Sequence, residues 1–235
     1  MNFATFDLET TTTKYLGRTA SPFCKDNWIV ADGWAIDHGE PFGEYHTEPG
    51  KITIPDLSGV SVLVGFNIKF DLLYVWDYPE IKEFFKRGGT IWDCQLAEYL
   101  IRGMTQDVHM PNLNDTAKKY GGTGKIDAVK EFWEQGINTP DIPRDLLMDY
   151  LLGNDEVDGD INETRTVYLE QLKLIQSYPK HFKTMLANRM ESLLCTTEME
   201  YRGLHVDTEL GETLRQGLVA DIDVLEAELE TYLPD

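Results

Sequence analysis

Val60-Ser61-Val62-Leu63-Val64-Gly65-Phe66-Asn67-Ile68-Lys69-Phe70-Asp71 starts as a nearly continuous apolar run and ends on polar residues. An apolar run of this length without alternation predicts a strand buried on both faces. Phe70, Leu73 and Tyr74 then follow helical spacing towards Trp76. A buried strand that turns straight into a helix leaves Asn67 and Asp71 at the edge of a sheet, where ligand crevices form in α/β folds.

Working outward, Asn2 to Asp7 alternates apolar and polar residues and predicts a strand. Trp28 to Ile36 and Phe42 to His46 predict two more, parted by the turn-like Asp37-His38-Gly39-Glu40-Pro41. Thr90 to Trp92 predicts another short strand. Helices are expected at Cys94 to Ile101, Leu113 to Tyr120, Ala128 to Gln135, Arg144 to Leu152 and Ile161 to Ser177, with a flexible break at Gly121-Gly122-Thr123-Gly124. Strands followed by strand–helix alternation predict an α/β domain with a mixed sheet flanked by helices. Tyr178-Pro179 ends that domain, giving residues 1–178, and residues 179–235 form a helical segment.

Within that segment His181 to Arg202 is amphipathic. Leu210, Leu214, Leu218, Ile222, Leu225, Leu229 and Leu233 recur at 4-4-4-3-4-4 spacing. The remaining face is largely acidic, which reads as a solvated helix packed on a partner helix.

No apolar run approaches the roughly 18 residues of a membrane helix, and Met1-Asn2-Phe3-Ala4 lacks a basic lead-in. No membrane association and no secretory leader are expected. Cys24, Cys94 and Cys195 form no C-x-x-C pair, so three reduced thiols in the cytoplasm are expected, with neither a zinc site nor a disulfide framework. The net charge of −20 speaks against a broad grip on nucleic acid. It leaves three options: no nucleic acid, a short stretch held through metal ions and local contacts, or a basic partner that supplies the grip.

Cutting a phosphodiester requires an activated water and relief of charge on the leaving oxygen, which two divalent cations about 4 Å apart provide. Magnesium takes oxygen ligands, so carboxylates at strand ends are the residues to seek. Asp7 and Glu9 stand two apart on the first strand and leave the same face. An acidic chain also makes D-x-E by chance; Asp207-Thr208-Glu209 repeats it, where a helix N-cap and first-turn acid are expected. Asp71 reads equally as a helix N-terminal acid and Asn67 as a turn former. Asp160, in Asp160-Ile161-Asn162-Glu163-Thr164, reads by itself as a helix cap.

Jointly, D-x-E on the first strand, N-x-x-F-D after a later strand and D-x-x-x-T on a late helix resemble the three exonuclease motifs of the DEDD superfamily. The match is to the 3′→5′ proofreading domain of family A DNA polymerases, including those of bacteriophages, and it covers about residues 1–178. Thr90-Ile91-Trp92-Asp93-Cys94-Gln95-Leu96-Ala97 and Asn112-Leu113-Asn114-Asp115-Thr116-Ala117 are similar to that family's linking segments. The resemblance implies an RNase H-like fold and an enzyme acting on single-stranded DNA 3′ ends with two Mg2+ or Mn2+ ions.

By this resemblance Asp7, Glu9, Asp71 and Asp160 are the metal-binding quartet: Asp7 bridges both ions, Glu9 and Asp160 complete the tighter one, and Asp71 holds the second through water. Thr10 and Asn67 lie at the terminal nucleotide. Phe66 and Phe70 stack on its base or pack in the core. Lys69, Lys118, Lys119 and Lys125 touch the strand or are plain surface lysines.

The family places a Tyr or His one helical turn before the last Asp, to orient the attacking water. Here Tyr150 precedes Asp160 by ten residues, and Asn154 holds the four-residue position. Either residues 154–159 loop out and Asp160 is the ligand, or Asp155 is the ligand on a continuous helix. Thr164, four residues after Asp160, and glycines at both ends of the loop favour Asp160.

From Glu191 to Asp207 the chain resembles the opening of the polymerase module, without palm or fingers, so no DNA synthesis by this chain is expected. The C-terminal helices are a candidate surface for a polymerase-module chain. Two other functions fit the sequence: a non-catalytic exonuclease-like scaffold for a replication partner, and an RNA exonuclease of the RNase D type.

Overall fold

The computed structural model describes residues 2–104, 109–123 and 128–232. Its centre is a five-stranded sheet built from β1 (Phe3–Thr10), β4 (Ile29–Ile36), β5 (Phe42–Tyr45), β6 (Val62–Gly65) and β7 (Thr90–Asp93). A separate two-stranded ribbon comprises β2 (Lys14–Tyr15) and β3 (Arg18–Thr19). The sheet order is β5-β4-β1-β6-β7. β4 pairs antiparallel with β1 and with β5, whereas β6 runs parallel to both β1 and β7. This is the mixed α/β arrangement expected from the order of the predicted elements, and it is consistent with the RNase H-like fold that the resemblance implies.

β1 is the middle strand, and its period-two pattern resolves into two covered faces. Ala4, Phe6 and Leu8 point to one side, where Phe6 stacks on Trp34 with ring centroids 4.8 Å apart. That side is covered by α1 (Ile68–Val75), α2 (Pro79–Lys86) and α3 (Cys94–Ile101), through Ile68, Leu72, Ile81, Phe84 and Ala97. The opposite side carries Phe3, Asp7 and Glu9. It is covered by α4 (Leu113–Lys119), α5 (Ala128–Glu134), α6 (Arg144–Leu152) and α7 (Asp160–Gln176).

The expected flexible break after α4 contains a packed glycine. A Cβ on Gly122 would stand 1.9 Å from Glu163 Oε2, so a larger residue here would push the Glu163 carboxylate aside in the buried first turn of α7. Gly124 lies outside the described residues.

α8 (Lys180–Arg202) places Leu186 and Met190 in the core beneath the sheet, and the compact unit extends over Met1–Tyr201. A second unit, Arg202–Asp235, holds α9 (Thr208–Glu230). Asp207 caps α9 by accepting from the Leu210 backbone N–H at 2.9 Å, as the D-T-E pattern predicts. No described residue of α9 is buried, so its leucine stripe from Leu210 to Leu229 faces solvent. Leu233 is outside the described residues. No helix among the described residues is long and apolar enough to cross a membrane.

Two elements have no counterpart in the sequence reading. α2 starts on Pro79 in its first turn and buries Ile81 and Phe84 at i, i+3. The β2–β3 ribbon turns through Leu16 and Gly17, both at positive φ (47° and 78°). A two-residue hairpin of that shape normally announces itself as Asn-Gly or Asp-Gly, and Leu16 hides it.

Candidate metal centre

β1 delivers Asp7 and Glu9 from the middle of the sheet. Across the ladder Asp7 faces Gly33 and Glu9 faces Ala31. A Cβ on Gly33 would sit 2.8 Å from Leu151 Cγ and 3.0 Å from Ile161 Cγ1. Gly33 therefore lets α6 and α7 lie directly against the sheet beside Asp7. The ladder then breaks register between Glu9 and Thr10, where the chain leaves the sheet.

α7 begins at Asp160, with Gly159 before it as the cap position. Asp160 is thus the first helical residue and not a capping residue. One carboxylate oxygen each from Asp7, Glu9 and Asp160 come within 4.8 Å of one another. Glu9 and Asp160 are buried and Asp7 is half-buried. Among the described residues this is the one such group of potential metal ligands. Asp155 is exposed in the loop between α6 and α7.

Asp71, on α1, is buried against the same centre. Burial pushes its carboxyl well above the ordinary carboxylate range, and the charge of Asp7, then that of Glu9, adds to the effect; hydrogen bonding to the Leu8 backbone acts in the opposite sense. Three of the predicted carboxylates, Asp7, Glu9 and Asp160, thus come together; Asp71 stands outside that group of three and is linked to it through the charges of Asp7 and Glu9. Oxygen-only donors, mutually repelling and withdrawn from water, suit hard divalent cations such as magnesium or manganese.

Tyr150 lies in the last turn of α6, buried, where the charge of Asp160 acts on its hydroxyl. Its phenol is held far above the ordinary range by burial first, then by the charges of Asp160, Glu9 and Asp7. The intervening loop closes on itself: Asn154 N donates to Val157 O at 2.9 Å, and Gly153 bridges to Asp158. Gly153 takes φ 89°, and a Cβ on Gly159 would stand 2.2 Å from Gly153 N. Both glycines are required for α6 to end beside the start of α7.

The remaining predicted residues divide. Thr10 is buried, with its carbonyl accepting from Thr139 Oγ1 at 2.6 Å. Its side chain meets Tyr74, whose phenol burial pushes up to about 12. Asn67 is exposed in the left-handed region (φ 64°) just before α1. It lines a surface groove with Phe70. Phe66 packs against the core cluster of Phe3 and Val64. Lys119 is committed to Glu98 at 2.6 Å and Lys69 to Glu200 at 2.6 Å. Lys118 is exposed, and Lys125 lies outside the described residues.

Asp93 is an acid the sequence reading treated as part of a linking segment. It is buried at the start of α3, accepts from Leu96 N at 2.9 Å, and is pushed up to about 6 by burial, against the opposing backbone hydrogen bonds. Its context signal was available: a strand ending in Asp ahead of an apolar helical run is an N-cap pattern. Glu98 is likewise buried but bound to Lys119, Arg102 and Tyr120, which makes it a structural acid tying α3 to α4.

No family model matches the chain, and no curated protein does. Among solved structures it is similar to the family B DNA polymerase from the hyperthermophilic archaeon Pyrobaculum calidifontis. The TM-score is 0.44 and the identity 16%, over 74% of this chain and 25% of that one. The chain therefore spans about a quarter of that polymerase's length. That polymerase belongs to family B, whereas the sequence motifs resemble family A.

Proposed function

We propose that this protein is a metal-dependent 3′→5′ exonuclease that removes nucleotides from DNA 3′ ends, in the manner of a polymerase proofreading domain. The observation that carries the reading is the meeting of Asp7, Glu9 and Asp160, with Asp71 buried beside them. Three carboxylates from two separate stretches of chain converging on one point, with a fourth buried nearby, form the donor set a hard divalent cation takes. That consideration also weighs against a non-catalytic scaffold.

Asp7, Glu9, Asp160 and Asp71 would hold two divalent cations, which when bound supply activation of water and neutralisation of charge on the leaving oxygen. The chain's own groups do the rest. Burial opposes loss of the Tyr150 proton, and in the metal-free centre the charges of Asp160, Glu9 and Asp7 oppose it further. It therefore acts as a hydrogen-bonding group and not as a base: it steadies Asp160 and offers an oxygen lone pair to orient a water. Asn67 and Phe70 lie on the same short segment as Asp71, so a nucleotide contacting them is delivered to the carboxylates.

The test is digestion of a 5′-labelled single-stranded DNA in Mg2+ or Mn2+, beside an RNA of matched sequence. The expected result is stepwise shortening from the 3′ end of the DNA, lost in chelator and in Asp7→Ala. Digestion that persists in chelator or in Asp7→Ala overturns the reading, and preference for RNA shifts it to the RNase D type.

A further inference from the structure

The sixteen residues between Glu9 and Asp26, which run off the end of β1, include no acid and three cations, Lys14, Arg18 and Lys25. In a protein of net charge −20 this is a local reversal of sign directly beside the carboxylate centre. The excursion is built, not loose. Asn27 Nδ2 donates to the carbonyls of Thr13 and Ser21, at 3.1 and 3.0 Å. Thr11 Oγ1 donates to Asn27 Oδ1 at 3.1 Å, and Tyr74 donates to Ala20 O at 3.0 Å. The last bond ties the excursion to α1, the helix that carries Asp71.

Between this excursion and α1 runs a groove of about 170 Å³. Arg18 and Phe23 line one wall; Asn67, Phe70 and Leu73 line the other. Glu200 is the one acid of the lining, and it is already paired with Lys69 at 2.6 Å. Phe23 and Tyr15 are 47% and 42% exposed, unusual for aromatics that no partner covers. Exposed aromatics interleaved with cations are the surface chemistry of single-stranded nucleic acid binding: bases stack on rings while Lys and Arg meet phosphates.

We propose that residues 11–26 form an arm that grips the single DNA strand leading to the carboxylate centre. Bases lie against Phe23 and Phe70 in the groove, and phosphates lie against Lys14 and Arg18. The proposal rests on the exonuclease reading of that centre. It also answers the charge problem: the grip is confined to one short ribbon beside the site, so the rest of the surface can stay acidic.

The test uses the full chain and a short fluorescein-labelled single-stranded oligodeoxynucleotide, with binding read by anisotropy in chelator so that no hydrolysis intervenes. In parallel, hydrolysis of a chromogenic mononucleotide ester, too small to reach the arm, is followed in Mn2+. Phe23→Ala and the double variant Lys14→Ala/Arg18→Ala are expected to bind the oligonucleotide about tenfold more weakly. The double variant also flattens the dependence of log K on log salt by about 0.7 per lost phosphate contact. Both are expected to turn over the ester as the wild type does. Lys130→Ala on α5, which removes charge elsewhere, is expected to change nothing. Wild-type binding by the arm variants, or no oligonucleotide binding by the wild type, overturns the arm. If the wild type binds the oligonucleotide but hydrolyses neither substrate, the exonuclease reading falls while the grip stands.

Discussion

Tyr150, buried at the end of α6, lies within reach of the charge of Asp160, the first residue of α7, although ten residues separate the two along the chain. The two are close because residues 153–159 fold out between Gly153 and Gly159, bringing the end of α6 to the start of α7. Tyr150→Phe keeps the ring packing against Trp133 and removes only the hydroxyl. It is expected to lower the rate of DNA cleavage about a hundredfold through lost positioning, measured at Mn2+ concentrations that saturate the variant. Single-turnover kinetics beside a binding isotherm check this; an unchanged rate contradicts it.

The same loop separates two candidate ligands by behaviour. Asp160 meets Asp7 and Glu9, whereas Asp155 is exposed on the loop. Asp160→Ala is expected to weaken Mn2+ binding by at least about tenfold, since even outer-shell partners of a metal cost that much. Asp155→Ala is expected to match the wild type. Calorimetric titration of both variants decides, and the reverse ranking refutes the assignment.

Cations that bind the folded centre and not the unfolded chain raise stability by mass action. At a hundredfold excess over Kd the gain is about 2.7 kcal/mol. Melting in Mg2+ or Mn2+ against chelator at neutral pH is expected to show a clear rise in Tm for the wild type and little for Asp7→Ala. Equal rises in both place the ions elsewhere.

Asp93 sets a pH dependence away from the carboxylate centre. Burial raises it from 3.8 to about 6, so folding favours its protonated form. Its contribution is fully present below about pH 3.8 and is lost as pH rises through about 6, a change of about 3 kcal/mol. Asn can still accept from Leu96 N and carries no charge. Asp93→Asn is expected to lose this slope between about pH 4 and 6 and to melt above the wild type at about pH 8. Thermal melts across that range check it; a wild type more stable than the variant at the alkaline end contradicts it.

Local pattern revealed most of the elements, because each burial face repeats in sequence. Val62–Gly65 is apolar throughout because both faces of β6 are covered, and α7 keeps Ile161, Thr164, Val167 and Tyr168 on its buried side. The carboxylates were legible because D-x-E sends two side chains to one face, and because Asp71 and Asp160 stand where a strand or loop becomes a helix. What stayed hidden depends on partners distant in sequence. Gly33 looks like any strand glycine until its register opposite Asp7 and its approach to Leu151 are known. Gly122 reads as a hinge until Glu163 is packed on it. The arm escaped because Leu16 occupies a left-handed position that local rules reserve for Gly, Asn or Asp.

The account depends on the four carboxylates acting together as a cation site. Electron paramagnetic resonance titration of Mn2+ counts bound ions without reference to any substrate. Two saturable sites per chain are expected in the wild type, with both weakened or lost in Asp7→Ala. No saturable binding, or an Asp7→Ala isotherm that overlays the wild type, contradicts the account at its root.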